Sequence, residues 1–366
     1  MSVTFVVMAG GRGERLWPLV RASKPKVCLS ANGGGTLLQD TLQRLRGVEP
    51  KAQWLIVTTA EQAAAVRNDL PPAMRDAVLV EPQIRNTAAC ITLAAVALAA
   101  RDPRGIMVAV PADHWVGKPA AFQQAVRTAI RAAAASNLLA TIGLRPTHPH
   151  EGFGYLCAGP PIKGFGDGRA FRLARFIEKP SAAVARRLMR RPRTYWNSGM
   201  FIGTADAFLA RISQWLPDHA RRLIPLATHL APRGTARNEW GAAQRRAFAR
   251  RASAAYRALR PVSFDHGVMS RLREGIVVEG RFPWADLGSW DTWARVSGTS
   301  SHTVAVQSRN VTVVSAERHL VAAVGVRDLV IVHTPSATLV CRPDRTQAVR
   351  QVVRRIVSEP ALAAYR

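Results

Sequence analysis

An apolar run from Val3 to Met8 feeds directly into Ala9-Gly10-Gly11-Arg12-Gly13-Glu14-Arg15-Leu16-Trp17-Pro18-Leu19, with Lys24 and Lys26 close behind. Glycines let backbone N–H groups approach an anion with no Cβ in the way, and successive N–H groups form an anion-binding concavity. Two arginines and two lysines add positive charge where a polyphosphate would lie. The chemistry this segment suits is phosphate binding at the mouth of an α/β sheet. Two common nucleotide motifs are excluded by spacing. The pattern Gly-x-x-x-x-Gly-Lys-Ser/Thr does not occur, and Leu16 stands where the dinucleotide fingerprint needs its third glycine.

Further candidates follow in order. Asp113, in Pro111-Ala112-Asp113-His114 after the run Ile106–Val110, suits either a turn or a Mg²⁺ site, since Mg²⁺ takes one or two carboxylates plus phosphate oxygens. Asp286, in Trp284-Ala285-Asp286-Leu287-Gly288-Ser289-Trp290, is a second carboxylate. Asn86 or Thr87, after Glu81-Pro82 and Arg85, could cap the helix that follows. Glu178 and Lys179, before Pro180, and Asn197, in Tyr195-Trp196-Asn197-Ser198-Gly199-Met200-Phe201, have the side chains that a phosphorylated sugar needs. Gly152-Phe153-Gly154-Tyr155 adds a glycine turn.

The elements that must hold these residues alternate. Val3–Met8, Gln53–Thr58, Val78–Val80, Ile106–Val110 and Leu139–Ile142 read as strands. Thr36–Leu45, Glu61–Leu70, Thr87–Ala100 and Pro119–Ala135 read as helices. Apolar strands separated by helices predict an α/β fold, a Rossmann-like, mostly parallel sheet covered on both faces, with ligands beyond the carboxyl ends of its strands. From about residue 300 the pattern changes to short β runs: Thr303–Val306, Val311–Ser315, Leu320–Val324, Leu329–His333 and Ala337–Cys341. An amphipathic helix over Gln347–Val357 follows, and no long internal repeat is expected.

Composition limits the classes. A net charge of +27 invites a nucleic-acid reading, but 45 of the 51 basic residues are arginines spread along the whole chain, so specific nucleic-acid binding is not expected. Three of the six lysines, Lys24, Lys26 and Lys179, fall inside the motifs above. Cys28, Cys90, Cys157 and Cys341 lack metal-ligand spacing and read as reduced thiols of a cytoplasmic protein. Ala88 to Ala100, the longest apolar stretch, is too short to span a bilayer.

GGRGERLWPL followed by KPK resembles the first motif of sugar-1-phosphate nucleotidyltransferases, and its Leu-Trp-Pro form is similar to the mannose-1-phosphate guanylyltransferase branch, in a short form without the isomerase extension. The resemblance covers nearly the whole chain and is most specific at Trp196-Asn197-Ser198-Gly199-Met200-Phe201. It implies a nucleotidyltransferase catalytic domain over 1–295 and a C-terminal module over 300–366, similar to a left-handed β-helix and ending in a helix. It implies transfer of GMP from GTP to mannose 1-phosphate, with Arg15 and Lys26 catalytic and Mg²⁺ held by Asp113 and Asp286. Nucleotide binding falls to Ala9, Gly10, Gly11, Gly13, Arg15, Glu81, Asn86 and Thr87, and sugar-phosphate binding to Gly154, Glu178, Lys179 and Asn197. Replacing either aspartate is expected to cost activity rather than folding. A membrane partner is not expected; a homodimer is compatible. Another nucleotide and hexose pair, or a non-catalytic regulatory homologue, are the alternatives. Four positions depart from the family pattern: Glu14 and Glu151 where threonine is usual, Val27 where glutamine is, and Ser270 where glutamate is.

Overall fold

The computed structural model describes residues 1–366 except 22, 32, 166–167, 231–241, 301, 316 and 366. Nine strands form one sheet: β1 (Val3–Met8), β2 (Gln53–Thr59), β3 (Val78–Glu81), β4 (Ile106–Pro111), β6 (Ala140–Leu144), β7 (Tyr155–Pro161), β8 (Ala170–Ile177), β9 (Thr194–Thr204) and β10 (Ile276–Gly280). Their order is β3-β2-β1-β4-β9-β6-β10-β8-β7. The β3-β2-β1-β4 half is parallel, as expected. Beyond it, β9 runs antiparallel to both β4 and β6, so the sheet is mixed. The expectation of a mostly parallel sheet came from the first half alone, where every crossover contains a helix; hairpin-like returns later in the chain reverse strand direction.

Strand residues alternate between two buried layers. Val6, Met8, Val57 and Met107 pack with the apolar helix Asn86–Ala99, whereas Phe5, Val7, Ile56 and Val108 pack with residues of the helices Leu37–Arg46 and Pro119–Ser136. The helix Leu37–Arg46 starts in a capping box: the Gln39 N–H donates to Thr36 Oγ1 at 3.2 Å, and the Thr36 N–H donates to Gln39 Oε1 at 3.1 Å.

A short ribbon stands beside the main sheet. β5 (His114–Val116) pairs antiparallel with β11 (Trp284–Asp286), so that His114 lies opposite Asp286. Farther on, β12 (Thr303–Val306) pairs parallel with β14 (Val321–Val324), and β13 (Arg309–Ser315) with β15 (Arg327–Thr334). Thr303 faces Val321 and Arg309 faces Arg327, a constant offset of 18 residues. This stacked, β-helix-like coil is a two-copy repeat of 18 residues, shorter than the long repeat the sequence reading excludes. Ala305, Val306, Arg309 and Val314 recur as Ala323, Val324, Arg327 and Val332, and both copies turn at positive φ: Gln307 and Asn310, then Gly325 and Asp328. Asn310 Nδ2 donates to Asp328 Oδ1 at 2.7 Å across the coils. The repeat is short and mostly conservative exchange, which hides it by eye. β16 (Ala337–Cys341) closes the module antiparallel to β15, and the helix Val349–Ser358 follows.

A third buried cluster joins the module to the first loop: Leu16, Trp17 and Val20 pack with Trp290, Trp293, Val330, Val349 and Ile356. Trp290 Nε1 donates to the Trp17 carbonyl and Trp17 Nε1 to the Tyr365 carbonyl, each at 2.9 Å.

Candidate functional site

A cleft of about 550 Å³ opens at the carboxyl end of β1, lined by Gly10, Gly11, Gly13, Arg15, Lys26, Asp113 and Asp286 among others. The glycine loop is pinned rather than loose. Gln62 Nε2 donates to the Gly11 carbonyl at 2.7 Å. Gly13 sits at φ 58°, and a Cβ there would lie 3.0 Å from Lys26 Cβ, so a side chain would both strain the turn and push Lys26 aside. Ala9 differs from its expected role: its N–H donates to the Val57 carbonyl at 2.7 Å and its own carbonyl accepts from Thr58 Oγ1 at 2.9 Å. Its backbone anchors the loop and has no free donor for a ligand.

Lys26 is the centre of the charge arrangement. It is only 6% exposed, and its Nζ lies 2.7 Å from Asp113 Oδ2 and 3.5 Å from Asp286 Oδ1. Burial works against its charge, but the two carboxylates outweigh this and raise its pKa above the usual lysine value. Asp113 shows the reverse balance: burial opposes ionisation, while Lys26 and His114 hold its pKa below the ordinary range. The register of β11 on β5 carries Asp286 to Asp113. Trp284 Nε1 donates to His114 Nδ1 at 3.2 Å and holds the ribbon in place. Nothing in the spacing of residues 113 and 286 foretells this meeting. The aspartates also neutralise a buried ammonium, a folding role that their expected part in the chemistry leaves out.

Two carboxylates with side chains still 32% and 38% exposed, converging on a glycine loop, are a donor set that fits a hard divalent cation. Arg15 lines the same cleft with its Nε buried and unpartnered. Glu14, the acid inside the loop, lies 3.6 Å from Arg12 Nη1 and is offset by it.

Glu81, Asn86 and Thr87 fall differently from expectation. Glu81 is buried beneath the loop, where a Cβ on Gly10 would come within 3.8 Å of it. Tyr256 Oη donates to it at 3.0 Å, and burial still raises its pKa to about 7. Asn86 is exposed at φ 66°, and among the described residues its Oδ1 accepts only from the neighbouring Thr87 N–H. Thr87 Oγ1 accepts from the Phe264 N–H at 2.9 Å, which ties the helix start to the segment beneath the second half of the site. The helix Asn86–Ala99 has Arg85 at its N-cap without a side-chain bond, so neither Asn86 nor Thr87 is the cap.

That second half assembles on β9 and the strand-end after β8. Asn197 Oδ1 accepts from Thr141 Oγ1 at 3.0 Å, and its Nδ2 donates to Asp265 Oδ1 at 2.6 Å. Asp265, with Ser263 capping its short helix, is not among the residues the sequence motifs single out; Ser263-Phe264-Asp265 ahead of Met269 is the signal that marks it. Burial and the nearby Glu178 carboxylate raise its pKa to about 6. Glu178 pairs with Lys179 Nζ at 3.3 Å. The Asn197 N–H donates to the Gly154 carbonyl at 2.8 Å, and a Cβ on Gly154 would meet Phe176 at 2.8 Å and Glu178 Oε2 at 2.9 Å. The other departures have local reasons. Glu151 Oε1 accepts from the Ala182 N–H at 2.8 Å at a helix start, Val27 is core, and Ser270 Oγ donates to the His266 carbonyl at 2.6 Å.

A family model described as nucleotidyl transferase matches residues 4–301. The chain belongs to the nucleotidyl transferase family. A second model, described as the MannoseP isomerase/GMP-like beta-helix domain, matches residues 301–356. Among relatives of this nucleotidyl transferase, mannose-1-phosphate guanylyltransferase ManC of Salmonella typhimurium is 35% identical over 97% of this chain and 73% of its own. The mannose-1-phosphate guanylyltransferase of Escherichia coli K12 is 34% identical with the same coverage. A solved structure described as mannose-1-phosphate geranyltransferase from Thermus thermophilus superposes with a TM-score of 0.81 at 33% identity, covering 97% of this chain and 99% of that one. Among the described residues no helix is long and apolar enough to cross a membrane, and the four cysteines are free.

Proposed function

We propose that this protein transfers GMP from GTP to mannose 1-phosphate, giving GDP-mannose and pyrophosphate. The observation that carries the reading is the convergence of Asp113, Asp286 and Lys26 beside the glycine loop, on a chain matched over 97% of its length by relatives named mannose-1-phosphate guanylyltransferase. The reading assigns the chemistry to residues 1–295 and treats 300–366 as an appended module. It also places the protein in the cytoplasm, in keeping with its unpaired cysteines.

In the reaction, a phosphate oxygen of mannose 1-phosphate forms a bond to the α-phosphorus of GTP while the bond from that phosphorus to the bridging oxygen of pyrophosphate breaks. Both nucleophile and leaving group arrive charged, so the protein contributes position and electrostatics. The N–H groups of Gly10, Gly11 and Gly13 and the Arg15 guanidinium hold the triphosphate. Lys26, charged at all physiological pH, holds both aspartates toward the cleft and adds its own charge next to the transferring group. Asp113 and Asp286 fit Mg²⁺, which when bound neutralises phosphate oxygens. Lys179 pairs with the sugar phosphate; Glu178, Asn197 and Asp265 accept from and donate to the sugar hydroxyls; Gly154 lets the sugar approach the backbone. Glu81, beneath Gly10, supports the nucleotide side through the loop.

The test crosses GTP, ATP, UTP and dTTP with mannose, glucose and galactose 1-phosphates while pyrophosphate release is followed. GTP with mannose 1-phosphate should give the highest kcat/KM. A clear preference for dTTP or ATP with glucose 1-phosphate would assign another pair, and no turnover with any pair would mark a non-catalytic homologue.

A further inference from the structure

We propose that Arg350, on the C-terminal helix Val349–Ser358, completes the phosphate site and binds the pyrophosphate portion of the nucleotide, and free pyrophosphate in the reverse direction. The inference rests on the cleft being the triphosphate site, and it makes the C-terminal module a part of that site rather than an appendage.

Arg350 lines the cleft together with the glycine loop, although more than 330 positions separate them in sequence. Its placement is built. Val349, one residue earlier, and Ile356 are buried in the cluster that holds Leu16, and the helix packs directly on Glu14–Leu16. Trp17 Nε1 donates to the Tyr365 carbonyl, Arg21 Nη2 to Ser336 Oγ at 2.7 Å, and Thr346 Oγ1 to Asp291 Oδ1 at 2.9 Å, so bonds from three points clamp the module to the catalytic side.

The charges of the cleft say what Arg350 is for. Arg12 is matched by Glu14, and Lys26 faces two aspartates. Counted as side chains alone, those five groups leave one net negative charge. The two remaining cations of the lining are Arg15 and Arg350. Neither has a carboxylate within ion-pair distance among the described residues. Both line one cleft, and Arg350 helps lower the pKa of Arg15, behind burial as the larger cause, while Asp286 and Glu14 act the other way. Arg15 Nε is also buried without a partner. Two guanidinium groups on one cleft, neither matched by a carboxylate at ion-pair distance, suit a polyanion, each offering a charge-assisted, bidentate contact. Among the side chains of the lining, Arg350 turns the balance from neutral to positive.

The experiment is calorimetric titration of the intact protein with inorganic pyrophosphate in Mg²⁺ buffer, for the unaltered chain, Arg350→Ala, Arg350→Lys and Arg327→Ala. Arg327 is exposed on β15 and outside the cleft lining, so its loss removes the same charge elsewhere. Arg350→Ala should weaken binding about tenfold, the scale of one hydrogen bond to a charged group. Arg350→Lys should recover part of this, and Arg327→Ala should bind as the unaltered chain does. In steady state, Arg350→Ala should raise KM for GTP and pyrophosphate with KM for mannose 1-phosphate unchanged. Arg350 is exposed, and an unchanged melting temperature checks folding. Binding by Arg350→Ala within twofold of the unaltered chain, or an equal loss in Arg327→Ala, overturns the proposal. Failure of the unaltered chain to bind pyrophosphate overturns the reading of the cleft itself and the proposal with it.

Discussion

Asp113→Asn, Asp286→Asn and their combination separate the two jobs these carboxylates hold. At an effective dielectric of about 20, an ammonium attracts a carboxylate with about 6 kcal/mol at 2.7 Å and about 5 kcal/mol at 3.5 Å, before desolvation is counted. The net worth of a charged hydrogen bond is nearer 1.5–3 kcal/mol, and side-chain exposures of 32% and 38% push toward the lower end. Asp113→Asn, losing the shorter contact, should therefore cost about 2 kcal/mol, and Asp286→Asn about 1 kcal/mol. The double variant should cost more than their sum, about 4–5 kcal/mol, because it strands the charge of Lys26 in a site only 6% exposed. Adding Lys26→Met to the double variant removes the stranded charge and should return at least half of the loss. Urea unfolding followed by tryptophan fluorescence measures all four. Turnover with GTP and mannose 1-phosphate, across a Mg²⁺ titration, should fall about a hundredfold or more in each single variant, the scale of several kcal/mol in the transition state. If the double variant unfolds at the same urea concentration as the unaltered chain, or if Lys26→Met gives nothing back, the buried-ammonium argument is wrong.

Two other perturbations address parts of the site that do not touch Lys26. The pKa of Glu81 is raised to about 7 by burial, so its stabilising contribution is complete below the unfolded value near 4.5 and is lost as the pH rises through about 7. Glu81→Gln should thus raise the melting temperature at pH 8, by the equivalent of about 3 kcal/mol, and leave it nearly unchanged at pH 4.5; the same effect at both pH values would contradict the assigned titration. Gly154→Ala places a methyl against Phe176 and Glu178 and should raise KM for mannose 1-phosphate several-fold at unchanged KM for GTP. A change in the GTP constant alone, seen in steady-state kinetics, would move Gly154 out of the sugar half.

Much of this arrangement is legible before any coordinates exist. Strands β1 to β4 and their helices announce themselves because each strand is a short apolar run and the helices between them are longer segments, amphipathic at Leu37–Arg46 and apolar nearly throughout at Asn86–Ala99. The glycine loop and the Asn197 segment are local in sequence, so residue types and order expose them. What stays hidden is non-local. Asp286 meets Asp113 only through the pairing of two three-residue strands, too short to carry a pattern. Arg350 is one arginine among 45, and only the cluster around Leu16 and Ile356 selects it. Asp265 belongs to no motif in its own segment, and its place in the site depends on the hydrogen bond from Asn197 and the nearness of Glu178. Ala9, Asn86 and Thr87 stand in the right segments, yet their polar groups are spent on the sheet, on a neighbouring N–H and on Phe264. A motif locates a segment; which atoms of it remain free is decided by packing.

The central claim is that the cleft positions GTP for direct attack by the sugar phosphate, with no bond to the protein at any stage. The configuration at the α-phosphorus tests it in one measurement. GTP carrying sulfur in place of one α-oxygen, in a single configuration, is turned over with mannose 1-phosphate, and the product is assigned by phosphorus NMR. A single in-line displacement predicts inversion. Retention would mean two displacements through a guanylylated side chain, and direct attack by the sugar phosphate would be ruled out.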